Sequence, residues 1–542
     1  MMYRSLIIAL TGLFVIHTQA VRAQTPATAD TNAQKKLVVI ENAERFSYEQ
    51  TDSAQFHMAV GKVKMVQDKT IFYCDSVAIN ETTKVLEAFG NVHINDNDSV
   101  HTYSDYLRYN SRDKKAFLKG NVKLTDGKGV LTTPTLDYDV PTKTGVYTQG
   151  GKLVSEKTVL TSKEGYYYGE TRDVYFKKKV VMVDPQTTVK TDTLLFNTFS
   201  RRAIFTVPTA ITDKNGSTVN TSDGYYDFNL KKSYFGKRSE VRDGSTTIIA
   251  DEMANDDSTG FGEARGRVVY KDSAQGTTLL ANNVKSNKND KSFLATEHPV
   301  MILKQDKDSV YIAADTFYSA KLSSLITSRF VPNVRDSGRL NDSIIHAPAD
   351  TSNDRFIEAW YHVRIFSDSL QAVGDSLFYS LGDSTFRLFR DPIVWAQDSQ
   401  VTGDTIYIYT ANKKPERMFV FDNAMMLNKM VRDNFYNQVR GRNMNGYFKD
   451  GAIDFMRVRG SQAESIYYAT DEFNKYIGVD KASADLIELY FANKKPEQVK
   501  LITAVKGTFY PMMKVDHEEI RLRGFKWQDE RRPKTKYALF GN

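Results

Sequence analysis

The sequence predicts an all-β protein: an elongated, solenoid-like or jelly-roll stack of repeats about 30 residues long. Three observations carry that expectation. A short phrase recurs, as Gly90-Asn91-Val92-x-Ile94 and Gly120-Asn121-Val122-x-Leu124, with weaker copies at Gly61–Met65 and Gly266–Val269. An acidic residue followed by alternating apolar residues recurs with it, as Asp75-x-Val77-x-Ile79, Asp105-x-Leu107-x-Tyr109, Glu164-x-Tyr166-x-Tyr168 and Asp192-x-Leu194-x-Phe196. Turn-forming clusters separate the runs, such as Asp96-Asn97-Asp98 and Ser111-Arg112-Asp113.

Each element has its own reason. Val92 and Ile94 alternate with Asn91 and His93, and Leu107 and Tyr109 alternate with Tyr106 and Arg108. A period of two is the mark of a strand with one buried face. Each repeat therefore offers two or three short strands and two turns. Such a unit cannot bury its apolar face alone, but a stack of them can. The recurrent glycine, placed before a strand, supplies a positive φ or a tight corner. The recurrent acid is expected to cap a turn with its carboxylate. One acid per repeat is too few oxygens for calcium.

The acid-led motif recurs at steps near 30 up to Asp315-x-Phe317, then doubles its step to Asp375-x-Leu377-x-Tyr379 and resumes at Asp404-x-Ile406-x-Ile408. Either a repeat is lost there or one has absorbed an insertion. Residues 322–354 are rich in Ser, Asn, Asp and Pro, as expected of a polar loop or hinge. The expected organisation is a leader at 1–23, a flexible segment at 24–36, a first repeat region at 37–321, the polar loop at 322–354, a more degenerate repeat region at 355–527, and a charged, frayed tail at 528–542. Arg4, the apolar run from Leu6 to Ile16, and Val21-Arg22-Ala23 before Gln24 fit a cleaved export signal.

Composition narrows the function classes. The net charge of +7 is small for 542 residues, and no dense basic patch points to nucleic acid. Lys177-Lys178-Lys179 reads as a solvated turn. The single cysteine, Cys74, forms no disulfide within the chain and reads as a buried small side chain. The eight histidines include no pair at metal-ligand spacing, and no nucleophile or phosphate-loop motif is present. No catalytic residue, metal or cofactor is expected. A carboxylate pair of the kind found in polysaccharide-cleaving β-helices remains an alternative, as does a structural or adhesive repeat protein. Charge on both strand faces argues against a lipid-facing membrane barrel.

The Gly-Asn-Val phrase with its acid-led strand resembles the OstA-like family, most clearly over Val60–Leu124 and more weakly to Tyr318 and over Gly374–Met425. The resemblance implies a β-jelly-roll in the periplasm whose apolar interior escorts the acyl chains of lipopolysaccharide toward the outer membrane. It implies end-to-end strand pairing with other lipopolysaccharide-transport jelly-rolls, and head-to-tail self-association by the same edges. On this reading Val92, Ile94, Leu107, Tyr109, Val122, Leu124, Leu136 and Tyr138 line the groove, unless they simply fill a dry core. Leu37, Val38, Val39 and Ile40 would supply the partner-facing edge strand.

Overall fold

The computed structural model describes residues 38–304, 309–326, 335–336, 344–345, 355–411, 414–430, 434–473, 475–492 and 495–540. The expected leader, the segment 24–36, Leu37 and most of 322–354 lie outside them. Strands account for 68% of the structure and helix for 3%. Among the described residues, 42 strands form one antiparallel hydrogen-bonded set, with Arg335–Asp336 and Ile344–Ile345 as a separate short pair.

The first layers define the plan. They are β1 (Val39–Asn42), β2 (Arg45–Gln50), β3 (Gln55–Gln67), β4 (Thr70–Asn80), β5 (Val85–Asp96), β6 (Val100–Asn110), β7 (Lys115–Thr125) and β8 (Val130–Asp139). Strands β3 to β8 are longer than the short strands that the turn spacing suggested, because β3, β5 and β7 each run straight through a glycine phrase and β4, β6 and β8 pair with them on both sides of it. At that point the register slips, between Phe89 and Val92 in β5 and between Lys119 and Val122 in β7. Gly90 and Asn91 there have φ of 74° and 45°, and Gly120 and Asn121 have 80° and 45°. Two successive left-handed residues make a β-bulge that bends the strand. The phrase is thus a mid-strand corner. Lys178 and Lys179 occupy the same kind of corner, within the strand Asp173–Val183, in place of the expected solvated turn.

The recurrent acid meets that corner. Asn91 Nδ2 donates to Asp75 Oδ2 at 2.9 Å, and Asn121 Nδ2 to Asp105 Oδ2 at 2.8 Å. A Cβ added to Gly90 or Gly120 would lie 2.3 or 2.5 Å from those carboxylate oxygens. The two motifs are therefore one device: glycine makes room for the acid of the preceding strand, and the next side chain binds it. This replaces the expected turn cap. The alternation after the acid also has one exception. In the Glu164 copy Tyr167 is buried, while Tyr168 is exposed.

The corners divide every layer into two half-strands and the ladder into two half-sheets. Half-sheet I holds Val85–Phe89 paired with Tyr106–Asn110; half-sheet II holds Val92–Asp96 paired with Val100–Ser104. The two face each other. Phe72 of half-sheet II lies 5.2 Å from Tyr109 of half-sheet I, ring to ring, and Tyr109 donates to Gln67 Oε1 at 2.6 Å. One buried apolar cluster runs from Ala59 to Phe235 and a second from Ala250 to Leu489.

The ladder continues across the polar loop. Thr316–Ala320 pairs with Phe356–Trp360, and Tyr311–Ala313 with Arg364–Phe366. One hairpin has absorbed an insertion, which explains the doubled step after Asp315. The segment expected to fray does not. Gln528 and Leu539 are buried, and residues 516–540 run back over the sheet. Side chains of the Gln528–Lys536 stretch bind the strands through Arg531 to Asp391 and Arg532 to Gln371.

Candidate functional site

Interior position follows from the bent strands. Inward residues of half-sheets I and II converge in one wedge, and the hairpin turns form its two rims. The eight sequence-predicted groove residues all belong to the first cluster. Val92, Ile94, Leu107, Tyr109, Val122, Leu124, Leu136 and Tyr138 are each at most 3% exposed. In this stretch the wedge is filled. Burial pushes the Tyr109 and Tyr138 hydroxyls far up, and the Tyr138 hydroxyl has no hydrogen-bond partner among the described residues. The rims are bridged as well. Lys114 Nζ reaches Asp68 Oδ2 at 3.0 Å, Thr198 Oγ1 donates to Asp126 Oδ2 at 2.8 Å, and Arg201 Nη1 reaches Glu156 Oε2 at 2.7 Å.

Free volume lies further along. A cavity of about 180 Å³ opens between the half-sheets in the second cluster. Tyr270, Leu279, Met301, Leu303 and Val310 form its wall on half-sheet II; Phe293, Ile357, Tyr379 and Phe386 form the wall on half-sheet I. None of the eight predicted groove residues lines it. The Tyr270 and Phe293 rings bridge the walls at 6.3 Å, and Tyr379 stacks on Phe386 at 4.2 Å. The volume exceeds the roughly 150 Å³ that holds a benzene-sized apolar group. A mostly apolar, concave site with a few polar groups is the usual form of a small-molecule or lipid site.

The polar groups sit at the rim. Arg355 Nη2 donates to Lys291 O at 2.9 Å and to Ser319 Oγ at 3.3 Å, with its guanidinium 5.9 Å from the Phe293 ring. Asp272 is committed to its own turn, where Oδ1 accepts from Ser245 Oγ and from the Ala274 and Gln275 amides. Arg355 is thus the cation at the cavity mouth. The sequence motifs pointed at Tyr379 through its acid-led strand, but nothing in the periodicity marked where the two walls would stand apart.

The predicted edge strand is partly outside the described residues, since Leu37 is not among them. Val38 precedes β1, and Val39 and Ile40 lie in it. Strand β1 pairs only with β3 among the described residues, through Val39↔Val66 and Ile40↔Met65. Strand β2 is the matching edge of half-sheet I, paired with Gln55–Val60. At the other end, among the described residues, Lys495–Ile502 and Lys506–Pro511 pair only with Tyr476–Ala492. Among the described residues, each half-sheet therefore ends, at both ends, in a strand paired on one side only.

His93 Nε2 and His101 Nδ1 do come within 3.2 Å, which their spacing did not suggest. No group of three or more metal-ligating side chains occurs among the described residues. No helix among them is long and apolar enough to cross a membrane.

Residues 35–192 and 166–251 match the family described as OstA-like protein. Over that span the chain is similar to that family. No curated protein matches the chain. Among solved structures, a match is LptH, the LptA homologous periplasmic component of the conserved lipopolysaccharide transport device from Pseudomonas aeruginosa. It is 17% identical, covers 27% of this chain and 82% of its own, and aligns with a TM-score of 0.19, too low to carry an argument. The OstA-like span ends just where the second interior cluster begins, so the cavity lies beyond it.

Proposed function

We propose that this chain is an exported bridge protein that escorts lipopolysaccharide across the periplasm, holding acyl chains between its two half-sheets. The observation that carries the reading is the apolar cavity between facing β walls, in a chain whose first part is OstA-like. Each acyl methylene left in water costs roughly 0.8 kcal/mol, so a multi-chain lipid needs a covered apolar route. A cavity walled by aromatic and aliphatic side chains removes that cost without chemistry. Arg355 at the rim would meet an anionic headgroup group while the chains lie inside.

In this reading the cavity is the standing acyl site. Val92, Ile94, Leu107, Tyr109, Val122, Leu124, Leu136 and Tyr138 become the acyl-facing wall only when the rim contacts at Lys114, Thr198 and Arg201 open. Val38, Val39 and Ile40, with Arg45–Gln50, would add strands to a neighbouring jelly-roll or to a second copy of this chain, because unpaired edges template such pairing. The role is transport rather than catalysis.

Photo-crosslinking amino acids at Tyr379, Phe386, Leu107 and Val122 in cells test the reading. Lipopolysaccharide adducts are expected at Tyr379 and Phe386, with Leu107 and Val122 labelled only during active transport. Absence of adducts at all four positions would overturn it.

A further inference from the structure

One wall of the cavity is supported from behind by the segment Asp516–Phe540. In the strand Val300–Lys304, Met301 and Leu303 face the cavity, while Val300 and Ile302 face away. In Ser309–Ala313, Val310 faces the cavity, while Tyr311 and Ala313 face away. Leu539, 3% exposed, packs into the outward set. Arg364 Nη1, on the adjacent strand, donates to Ala538 O at 2.9 Å. The short turn Lys536–Leu539 is thus pinned to the reverse of the wall by one apolar plug, by Arg364, whose Nη2 also donates to Leu539 O at 3.5 Å, and by Lys536 Nζ 5.7 Å from the Tyr311 ring centroid.

The rest of the segment holds that turn in place. Ile520 and Leu522 pack on Met425, Leu427 and Ile466 of half-sheet II. A row of buried glutamines receives its backbone. Gln438 Oε1 accepts from Leu522 N at 2.9 Å, and Gln400 Oε1 accepts from Gln528 N at 2.7 Å while its amide donates to Lys526 O. Arg532 then donates to Gln371 Oε1 at 2.6 Å. Glutamine side chains substitute for water on a strap that has no β-ladder of its own, which is how buried backbone groups are satisfied.

We propose that this segment is a strap whose Lys536–Leu539 end sets the position of the cavity wall Met301–Leu303–Val310, so that cavity occupancy and strap docking are coupled. A wall backed on both faces resists parting; a wall freed on its outer face can move away from Tyr379 and Phe386. Leu539 and Arg364 are positioning residues, since neither touches the cavity. This rests on the proposed lipid role only for the identity of the occupant.

The test uses the full chain, Leu539→Asp and Arg364→Ala, with Tyr537→Ala at an exposed neighbour as control and Leu539→Met as rescue. Hydrogen exchange at 300–304 and 309–313 is read alongside affinity for cis-parinaric acid, a fluorescent fatty acid. Leu539→Asp is expected to speed exchange there about tenfold and weaken the probe at least fivefold. Arg364→Ala should do the same to a smaller extent, and Tyr537→Ala and Leu539→Met should resemble wild type. In the converse direction, bound probe should slow exchange at 536–540. Unchanged exchange at 300–313 in Leu539→Asp would overturn the strap proposal. Wild-type protein that binds no probe would instead remove the lipid reading of the cavity, while the exchange data would still decide the strap.

Discussion

The strands before Phe235 and those after Phe356 are built on the same bent-layer plan but bury different surfaces. In Val100–Asn110 buried and accessible residues alternate, and the outward face carries Tyr103, Arg108 and other polar-tipped side chains. In Ile393–Ala396 all four residues are buried, as are the first five of Ala424–Lys429. The returning segment 516–540 covers the outward face of half-sheet II there, and at Val300–Ala313, but not in the strands before Phe235. A strand wet on one face reads as alternation; a strand covered on both reads as a continuous apolar run. The repeat signal therefore fades after Ala411 although the architecture does not.

The corners vary in the residues that form them. Glycine forms the corners at Gly61, Gly90, Gly120 and Gly266, whereas Lys178 and Lys179 form an early corner without it. Later ones place Tyr361 and His362, Arg390 and Asp391, or Asp422 and Asn423 in the left-handed region. The acid contact persists without the glycine. His362 Nδ1 meets Asp315 at 2.8 Å, Arg390 meets Asp375 at 3.3 Å, and Asn423 Nδ2 donates to Asp404. Left-handed backbone costs a non-glycine residue roughly 1–2 kcal/mol.

The largest test of this contrast is on the outward face of half-sheet II. Trp395→Ala, at a fully buried position in the later region, should cost about 3–5 kcal/mol in urea unfolding. Lys123→Ala on the corresponding face of the early region should stay within about 0.5 kcal/mol. Equal effects would mean that the two regions do not differ as the burial pattern indicates. Next in size are the corners. Gly120→Ala combines φ of 80° with a Cβ 2.5 Å from Asp105 and should lose about 2 kcal/mol or more. Arg390→Gly should be near neutral, because relief of about 1–2 kcal/mol is offset by about 0.5–1 kcal/mol of added chain entropy.

Smaller effects sharpen the picture. A double-mutant cycle on Lys114 and Asp68 should give roughly 0.5 kcal/mol, the scale of a partly exposed pair. A coupling near zero would remove that contact as a rim latch. The Asp251 carboxylate is held below its usual range first by the Arg267 hydrogen bond and then by Arg238. Its folded pKa is below its unfolded one, so its contribution is present above about pH 4 and is lost as pH falls through the folded value. Asp251→Asn should flatten the acid limb of the stability profile; an unchanged limb would show that the pair adds nothing. Smallest is Cys74, whose thiol burial pushes up to about 12. Native protein should leave it unalkylated by iodoacetamide at pH 8, and fast labelling would show that the early wedge opens.

Much of the fold was legible in residue order. The 30-residue period, the alternating pairs Leu107/Tyr109 and Val122/Leu124, and the turn clusters specify strand, inward face and layer because each is a local property. The eight predicted groove residues were legible as inward-facing for the same reason. That Asp75 and Gly90 belong to one device was not, since the contact joins residues 15 apart across a strand pair. The cavity was not legible either. Tyr270, Phe293 and Phe386 look like any other inward aromatics, and their separation depends on how far two half-sheets stand apart.

By itself the sequence determined the 30-residue strand repeat and its inward faces, because period-two patterning acts within a few residues, whereas the mid-strand corner and the continuity of the ladder across 322–354 were decided by strand pairing. Tertiary structure alone decided which stretch of the wedge is filled and which is hollow, and that the charged segment around Gln528–Lys536 docks instead of fraying. Those outcomes depend on contacts between residues more than a hundred positions apart, such as Gln400 with Gln528 and Arg364 with Ala538. No local pattern encodes such a distance.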